Sequence, residues 1–347
     1  MILTINCGSS SLKYALFSEK LEYITKGYRE DIKDHEKAIE EIIHELTEEQ
    51  KNWITKIGHR VAHGGEFFTK ATIVTPEVLE TIETLNSLAP LHNPVNILGI
   101  RICQKKFPKA KQIAIFDTAF HHTIKAEHFL YAIPHKYYKE DGIRKYGFHG
   151  TSHKYLRETY IKSEKNKKQT IITCHLGNGA SVNLTKNGKS IENSLWFTAV
   201  EWLIMGTRSG AIDPGVITYL MTQKWMSGEQ IDTMLYKQSG LLALSESTSD
   251  MKTLIENYHT DLKAKLAITI FVNSIVKYVG SYAALENGKI DAIIFSWTIW
   301  ERGKLIRQLV TKRLKFLNTK FLVIKTDEEY MIAKESLHLQ KKLKAVK

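Results

Sequence analysis

ILTINCGSSSLKYALF, at residues 2–17, is an apolar run, a small polar turn and a second apolar run. It reads as two short strands joined by a tight connection. The same layout returns at residues 171–191, IITCHLGNGASVNLTKNGKSI. There the run Ile171–Cys174 meets a Gly-rich turn at Gly177–Ser181, and Asn187–Gly188 closes a hairpin. One strand-turn-strand unit met twice implies a duplicated domain.

Around the first unit, TPEVLETIETLNSLA (75–89) and NPVNILGIRICQKKF (93–107) carry helical periodicity, and KQIAIFDTAF (111–120) is a buried strand with a polar tip. Beyond the second, residues 264–286 form a long helix, 291–296 a strand, 303–317 a helix and 320–326 a last strand. The closing helix, 327–347, starts from a Thr326/Glu329 capping box and packs back on the first domain. Strands alternating with helices predict an α/β fold with partly parallel sheets, divided near Gly142–Gly147.

At 347 residues with 43% hydrophobic content, the chain exceeds what one core usually holds, so two domains are expected. Lys and Arg number 49 against 37 Asp and Glu, a net charge of +12. The lysines are scattered with no Arg-rich, aromatic-interleaved stripe, so the excess reads as solvated surface and no nucleic-acid partner is expected. Cys7, Cys103 and Cys174 lack metal-ligand spacing and read as reduced core thiols of a cytoplasmic protein. No signal peptide and no uninterrupted membrane-spanning apolar run is legible, so no membrane partner is expected.

The first turn, Asn6 to Lys13, has the ingredients of a phosphate cradle: glycine and small hydroxyl residues for close backbone approach, and a lysine for charge. A Ser-rich hairpin is the commoner reading of such a stretch taken alone. The turn His175-Leu176-Gly177-Asn178-Gly179 is suited in the same way. Arg60 and His63 stand beside Gly64–Gly65, Asp117 ends an apolar strand, His149 and His153 flank a glycine, and Arg208 lies between glycines. Cations and a carboxylate at strand ends are what phosphoryl transfer requires. A zinc site at His149 and His153 is not expected, because Gly150 disfavours the helix it would need.

Eight segments in order, INCGSSSLKY, GHRVAHGGE, LAPLHNP, FDTAFH, GIRKYGFHGTSH, HLGNGAS, MGTRSGAIDPG and TDEEYMIAK, cover nearly the whole chain. Together they resemble the acetate and propionate kinases. The resemblance implies the duplicated ribonuclease H-like α/β fold of the actin/Hsp70/sugar kinase superfamily, two domains with a cleft between them. Residues 1–143 plus the C-terminal helix 329–347 would form one domain, and 144–328 the nucleotide-binding domain. It implies ATP and ADP as co-substrates and Mg²⁺, with Mn²⁺ as an alternative, held by Asn6 and Glu328. Arg60, Asp117, His149 and Arg208 would be catalytic. Arg60, Ala62, Leu91, His92, Phe148 and Ala199 would bind the small carboxylate. Lys13, His175, Leu176, Gly177, Asn178, Gly179, Asp250, Met251, Lys252, Thr298, Ile299, Trp300, Glu301 and Arg302 would contact the nucleotide. A homodimer making acetyl phosphate from acetate is the implied protein, with propionate as the alternative acid.

The chain departs from the family at Trp196, Trp202, Trp225, Trp297 and Trp300, where the family prefers glycine, and at Glu246, another family glycine. Lys252 replaces a family arginine, and segments after Gly27 and before Lys320 are trimmed. Three readings follow: a smaller donor such as pyrophosphate, a ligand-binding relative without catalysis, or UGA codons that the host reads as glycine. The last explains why the changes share one residue type while the catalytic side chains survive.

Overall fold

The computed structural model describes all residues except 9–10, 165–167, 178, 202, 297–302 and 346–347. It resolves into two compact units. The first comprises Met1–His122, Phe148–Tyr155 and Asp327–Lys347, and the second Thr123–Gly147 and Leu156–Thr326. The expected division after residue 143 falls inside Thr123–Gly147, which belongs with the second unit. The helix starting at Gly150 has its first turns in the first.

The sheet of the first unit has the order β3-β2-β1-β4-β6-β5. Its strands are β1 (Ile2–Cys7), β2 (Leu12–Phe17), β3 (Tyr23–Arg29), β4 (Lys56–Val61), β5 (Thr72–Ile73) and β6 (Lys111–Phe116). β1–β3 form an antiparallel meander, and β4 and β6 continue the sheet in parallel. Every residue of β1 is buried because both sheet faces are covered. On one face Leu3, Ile5, Leu12 and Leu16 pack with Ile39 and Ile42 of the helix His35–Glu45 and Cys103 of the helix Asn93–Lys106. On the other, Ile2, Ala15, Phe17, Ile113 and Ile115 meet Ile332 and Ala333 of the C-terminal helix Glu328–Ala345. That helix crosses β4 so closely that a Cβ on Gly58 would lie 2.7 Å from the Ile332 side chain. Asp327, not a Thr326/Glu329 box, caps it, accepting from the Tyr330 N–H at 3.0 Å. Glu329 instead faces Asn6.

The second unit repeats the plan in the order β11-β10-β7-β8-β9. β7 (Thr170–Leu176), β8 (Ala180–Lys186) and β9 (Lys189–Asn193) form the meander, and β10 (Ala292–Ser296) and β11 (Lys320–Val323) extend it in parallel. Asn187 and Gly188 both have positive φ, 49° and 87°, the backbone a two-residue hairpin of this twist requires. The helix Leu262–Leu285 is long and apolar enough to cross a membrane by length and composition. Phe271, Val272, Ile275 and Val279 on it are fully buried in the unit's core.

Two non-glycine departures from the family have the backbone a glycine favours. Trp225 has φ 56° and is 85% exposed, and Glu246 has φ 53°. Trp196 places its ring over the Lys145 ammonium at 3.6 Å. Trp202, Trp297 and Trp300 lie outside the described residues.

Candidate active site

Three strand ends of the first sheet carry its polar groups. β4 delivers Arg60, and β6 runs straight into Asp117, which is fully buried. Asp117 Oδ2 accepts from Nε and Nη2 of Arg60 at 2.9 and 2.7 Å, while Oδ1 accepts from the Thr151 hydroxyl at 3.1 Å. Arg60 Nη1 also reaches the Cys7 carbonyl at 3.4 Å, at the end of β1. Burial pushes the Asp117 carboxyl up, and the Arg60 guanidinium and the Thr151 bond oppose it. For Arg60, burial works against the charge, and Asp117, with Glu328 behind it, prevails and raises its pKa. The result is a preoriented cation whose geometry is set before any ligand arrives.

Beside it, Asn6 Nδ2 donates to Glu328 Oε2 at 3.3 Å and to Glu329 Oε1 at 3.0 Å, and Lys13 Nζ lies 3.8 Å from Glu328. Burial raises the Glu329 pKa; Lys13 opposes the rise and Glu328 adds to it. Among the described residues no three His, Cys, Asp or Glu side chains converge as a self-contained metal cage. Two carboxylates and an amide oxygen are hard donors, which suits a hydrated divalent cation shared with phosphate.

The first-unit residues expected to contact a small carboxylate stand on a polar frame. Ala62 N–H donates to Asn96 Oδ1 at 3.0 Å, and Asn96 Nδ2 donates to the Cys7 carbonyl at 2.9 Å. Asn93 brackets His63, accepting from its N–H at 3.0 Å and donating to its carbonyl at 3.1 Å. Gly64 N–H donates to Thr118 Oγ1 at 3.0 Å. His92 is the residue before the helix Asn93–Lys106, Leu91 is 40% exposed, and Phe148 meets His63 edge-on at 5.5 Å. Asn93, Asn96, Thr118 and Thr151 escaped the sequence reading, and Glu329 entered it as a cap, not as a site residue. Their only linear signal is a polar residue at fixed offset from Pro94, Asp117, Gly150 or Glu328, and their partners are distant in the chain.

His149 stands in the first unit, and the second unit holds the remaining candidates. His175 and Leu176 end β7 and are buried, and Gly177 N–H is used inside the turn, donating to the Gly179 carbonyl at 3.1 Å. Gly8 N–H in the first unit is used likewise, donating to Ser11 at 2.7 Å. Arg208 Nη1 donates to the Ala199 carbonyl at 3.0 Å. The turn bearing it leans on Gly240, where a Cβ would lie 2.2 Å from the Met205 carbonyl oxygen. Asp250 caps the helix Met251–Glu256 through the Lys252 and Thr253 N–H groups, at 3.3 and 3.0 Å. Met251 is buried, whereas Lys252 is exposed and pairs with Glu256 at 3.9 Å. Asn178, Thr298, Ile299, Trp300, Glu301 and Arg302 lie outside the described residues.

The sequence matches the acetokinase family over residues 25–331. It is 42% identical to the acetate kinase of Carboxydothermus hydrogenoformans over 97% of this chain and 98% of that one. It is 40% identical to the acetate kinase of Thermoanaerobacterium thermosaccharolyticum over 99% and 100%. The structure superposes on a Francisella tularensis propionate kinase with TM-score 0.92 and 38% identity, covering 97% of this chain and 99% of that one. For the acetate kinase of Porphyromonas gingivalis the TM-score is 0.89 and the identity 34%, covering 98% and 99%. A putative N-acetylmannosamine kinase of Listeria monocytogenes, 14% identical with TM-score 0.52, shares the fold alone, the actin/Hsp70/sugar kinase fold.

Proposed function

The chain belongs to the acetokinase family, its reaction is the acetate kinase reaction, and we propose that the residues named above carry it out. The observation that carries the proposal is the Arg60–Asp117–Thr151 array, a half-buried cation held through two of its nitrogens by a fully buried carboxylate. Arg60 steadies the acetate carboxylate and the phosphoryl group, and His149 and Arg208 donate to the phosphoryl oxygens. Asp117 keeps the guanidinium in place and helps to order the reactants. Ala62, Leu91, His92, Phe148 and Ala199 wall and flank the acid. Lys13, the His175–Gly179 turn and residues 250–252 and 298–302 take the nucleotide, ATP or ADP. Asn6 and Glu328 hold Mg²⁺, or Mn²⁺, which when bound neutralises charge on the phosphate oxygens. The transfer is in-line, with an acetate oxygen attacking and the diphosphate leaving, so the protein's contribution is positioning and charge.

The apolar helix Pro214–Gln223 has no buried residue and exposes Val216, Tyr219 and Met221, an apolar surface suited to a second copy in a homodimer. The buried free thiols fit a cytoplasmic site, and the reactants are small molecules, with no nucleic-acid or membrane partner.

Mixing the protein with Mg²⁺, ATP and acetate and trapping acetyl phosphate with hydroxylamine tests the reading. Product is expected, and changing Arg60 or Arg208 to Ala lowers kcat by about 10²–10³-fold. No product with ATP in either direction overturns it, and product with pyrophosphate alone assigns the altered donor. Ala62 and Ala199 are small enough to admit propionate. One methylene gives only about 1–3 kcal/mol of discrimination, so kcat/KM for both acids decides the preference.

A further inference from the structure

His149 is held in an unusual way. Its φ is 55°, in the left-handed region that residues bearing a Cβ rarely adopt. That angle is set by the peptide plane between Phe148 and His149, and the carbonyl oxygen of this plane lies 3.0 Å from His121 Nε2. A carbonyl only accepts, so Nε2 carries the proton and donates. His121 is fully buried at the end of the helical turn Asp117–His121, which begins with the carboxylate that holds Arg60. Burial pushes the imidazole down to about 3, so it is a neutral donor across the working range.

The segment is fastened at two further points. The next residue, Gly150, passes so near the Asp117 carbonyl oxygen that a Cβ would sit 2.0 Å from it. Thr151 then donates to Asp117 Oδ1 at 3.1 Å, and the His149 carbonyl accepts from the His153 N–H at 2.9 Å. Both peptide planes flanking His149 are therefore pinned, one by a side chain and one by the first turn of the helix Gly150–Glu164.

We propose that His121 is a positioning residue for His149: its donation to the Phe148 carbonyl fixes the peptide plane that turns the His149 imidazole toward the transferring phosphoryl group. The proposal rests on the assignment of His149 as a phosphoryl donor. Without the bond the plane loses this restraint, His149 relaxes toward the right-handed region, and its side chain leaves by a different direction. The group that suffers is one used in the transition state, so the loss falls on kcat rather than on substrate affinity.

The test measures acetyl phosphate formation for His121→Phe, which keeps a ring but removes the donor, and His121→Gln, whose amide nitrogen reaches the Nε2 position. His149→Ala and the His121→Phe/His149→Ala double variant complete the set. His121→Phe is expected to lower kcat by about 10–10²-fold while KM for acetate changes by less than about threefold. His121→Gln is expected to recover most of that loss. The double variant is expected to be no slower than His149→Ala alone, because nothing remains to position. If His121→Phe does not fold, His121→Asn, whose amide reaches only the Nδ1 position, replaces it with the same expected loss. Undiminished kcat without the donor, no recovery in His121→Gln, or losses that multiply in the double variant each overturn the proposal. Undiminished kcat in His149→Ala overturns instead the assignment on which it rests.

Discussion

Thr151→Val removes one hydroxyl from the site and leaves its volume almost unchanged. In the folded protein that hydroxyl donates to Asp117 Oδ1 at 3.1 Å, and Asp117 is fully buried, so no water takes its place. A hydrogen bond to a buried charged group is worth about 1.5–3 kcal/mol, and this is the expected fall in unfolding free energy. Urea denaturation checks it as a lower midpoint with an unchanged slope. A second consequence is electrostatic. The Thr151 bond favours the charged carboxylate against the burial that raises its pKa, so removing it raises the pKa further. The acid limb of kcat/KM therefore moves to higher pH, while the alkaline limb stays. A Thr151→Val protein with the parent's urea midpoint and pH profile would refute the claim that this bond holds Asp117 in its working state.

Stability should fall in mild acid. His59, bonded to Gln112 at 2.8 Å, is pushed by burial down to about 4 and His121 to about 3, so the unfolded chain binds protons that the folded one refuses as pH drops through about 6.5. In His59→Phe the loss of stability between pH 6.5 and 5 should shrink by about 2 kcal/mol, read from urea midpoints; an unchanged pH dependence rules out His59 as a source. Asn96→Leu orphans the Ala62 N–H, costing about 1–3 kcal/mol, leaves the Cys7 carbonyl with only its Arg60 contact, and raises KM for acetate more than KM for ATP. Equal effects on both KM values would sink that local reading. Trp225→Gly should leave stability unchanged or raise it by up to about 1 kcal/mol, since φ is 56° and the ring is 85% exposed; a drop larger than that counts against a glycine-suited backbone. If UGA is read as glycine, protein isolated from its own cells weighs less than the written sequence demands.

The parts of this molecule legible in one dimension are those that depend on neighbours in the chain. The duplicated meander was visible because apolar runs flank glycine turns, and Asn187–Gly188 has the backbone its residue types require. Asp117 was visible as a polar tip on an apolar strand. Thr151, Asn93 and Asn96 were not, because their roles come from the distance to Asp117, His63 and Cys7 after folding. The contact-based division into units differs from the compositional one for the same kind of reason. A segment centred on Gly150 returns to the first unit through close approach to the Asp117 carbonyl, a contact with no compositional mark.

The late arrival of the C-terminal helix has a consequence for biosynthesis. Glu328 follows Asn6 by 322 residues, so β1 leaves the ribosome on the order of tens of seconds before the helix that covers it. Until that helix emerges, Ile2, Ala15 and Phe17, and in their turn Ile113 and Ile115, lack Ile332 and Ala333 as cover. A nascent chain stalled before residue 327 presents a bare apolar sheet, which is the kind of surface holding chaperones bind and quality-control proteases cut.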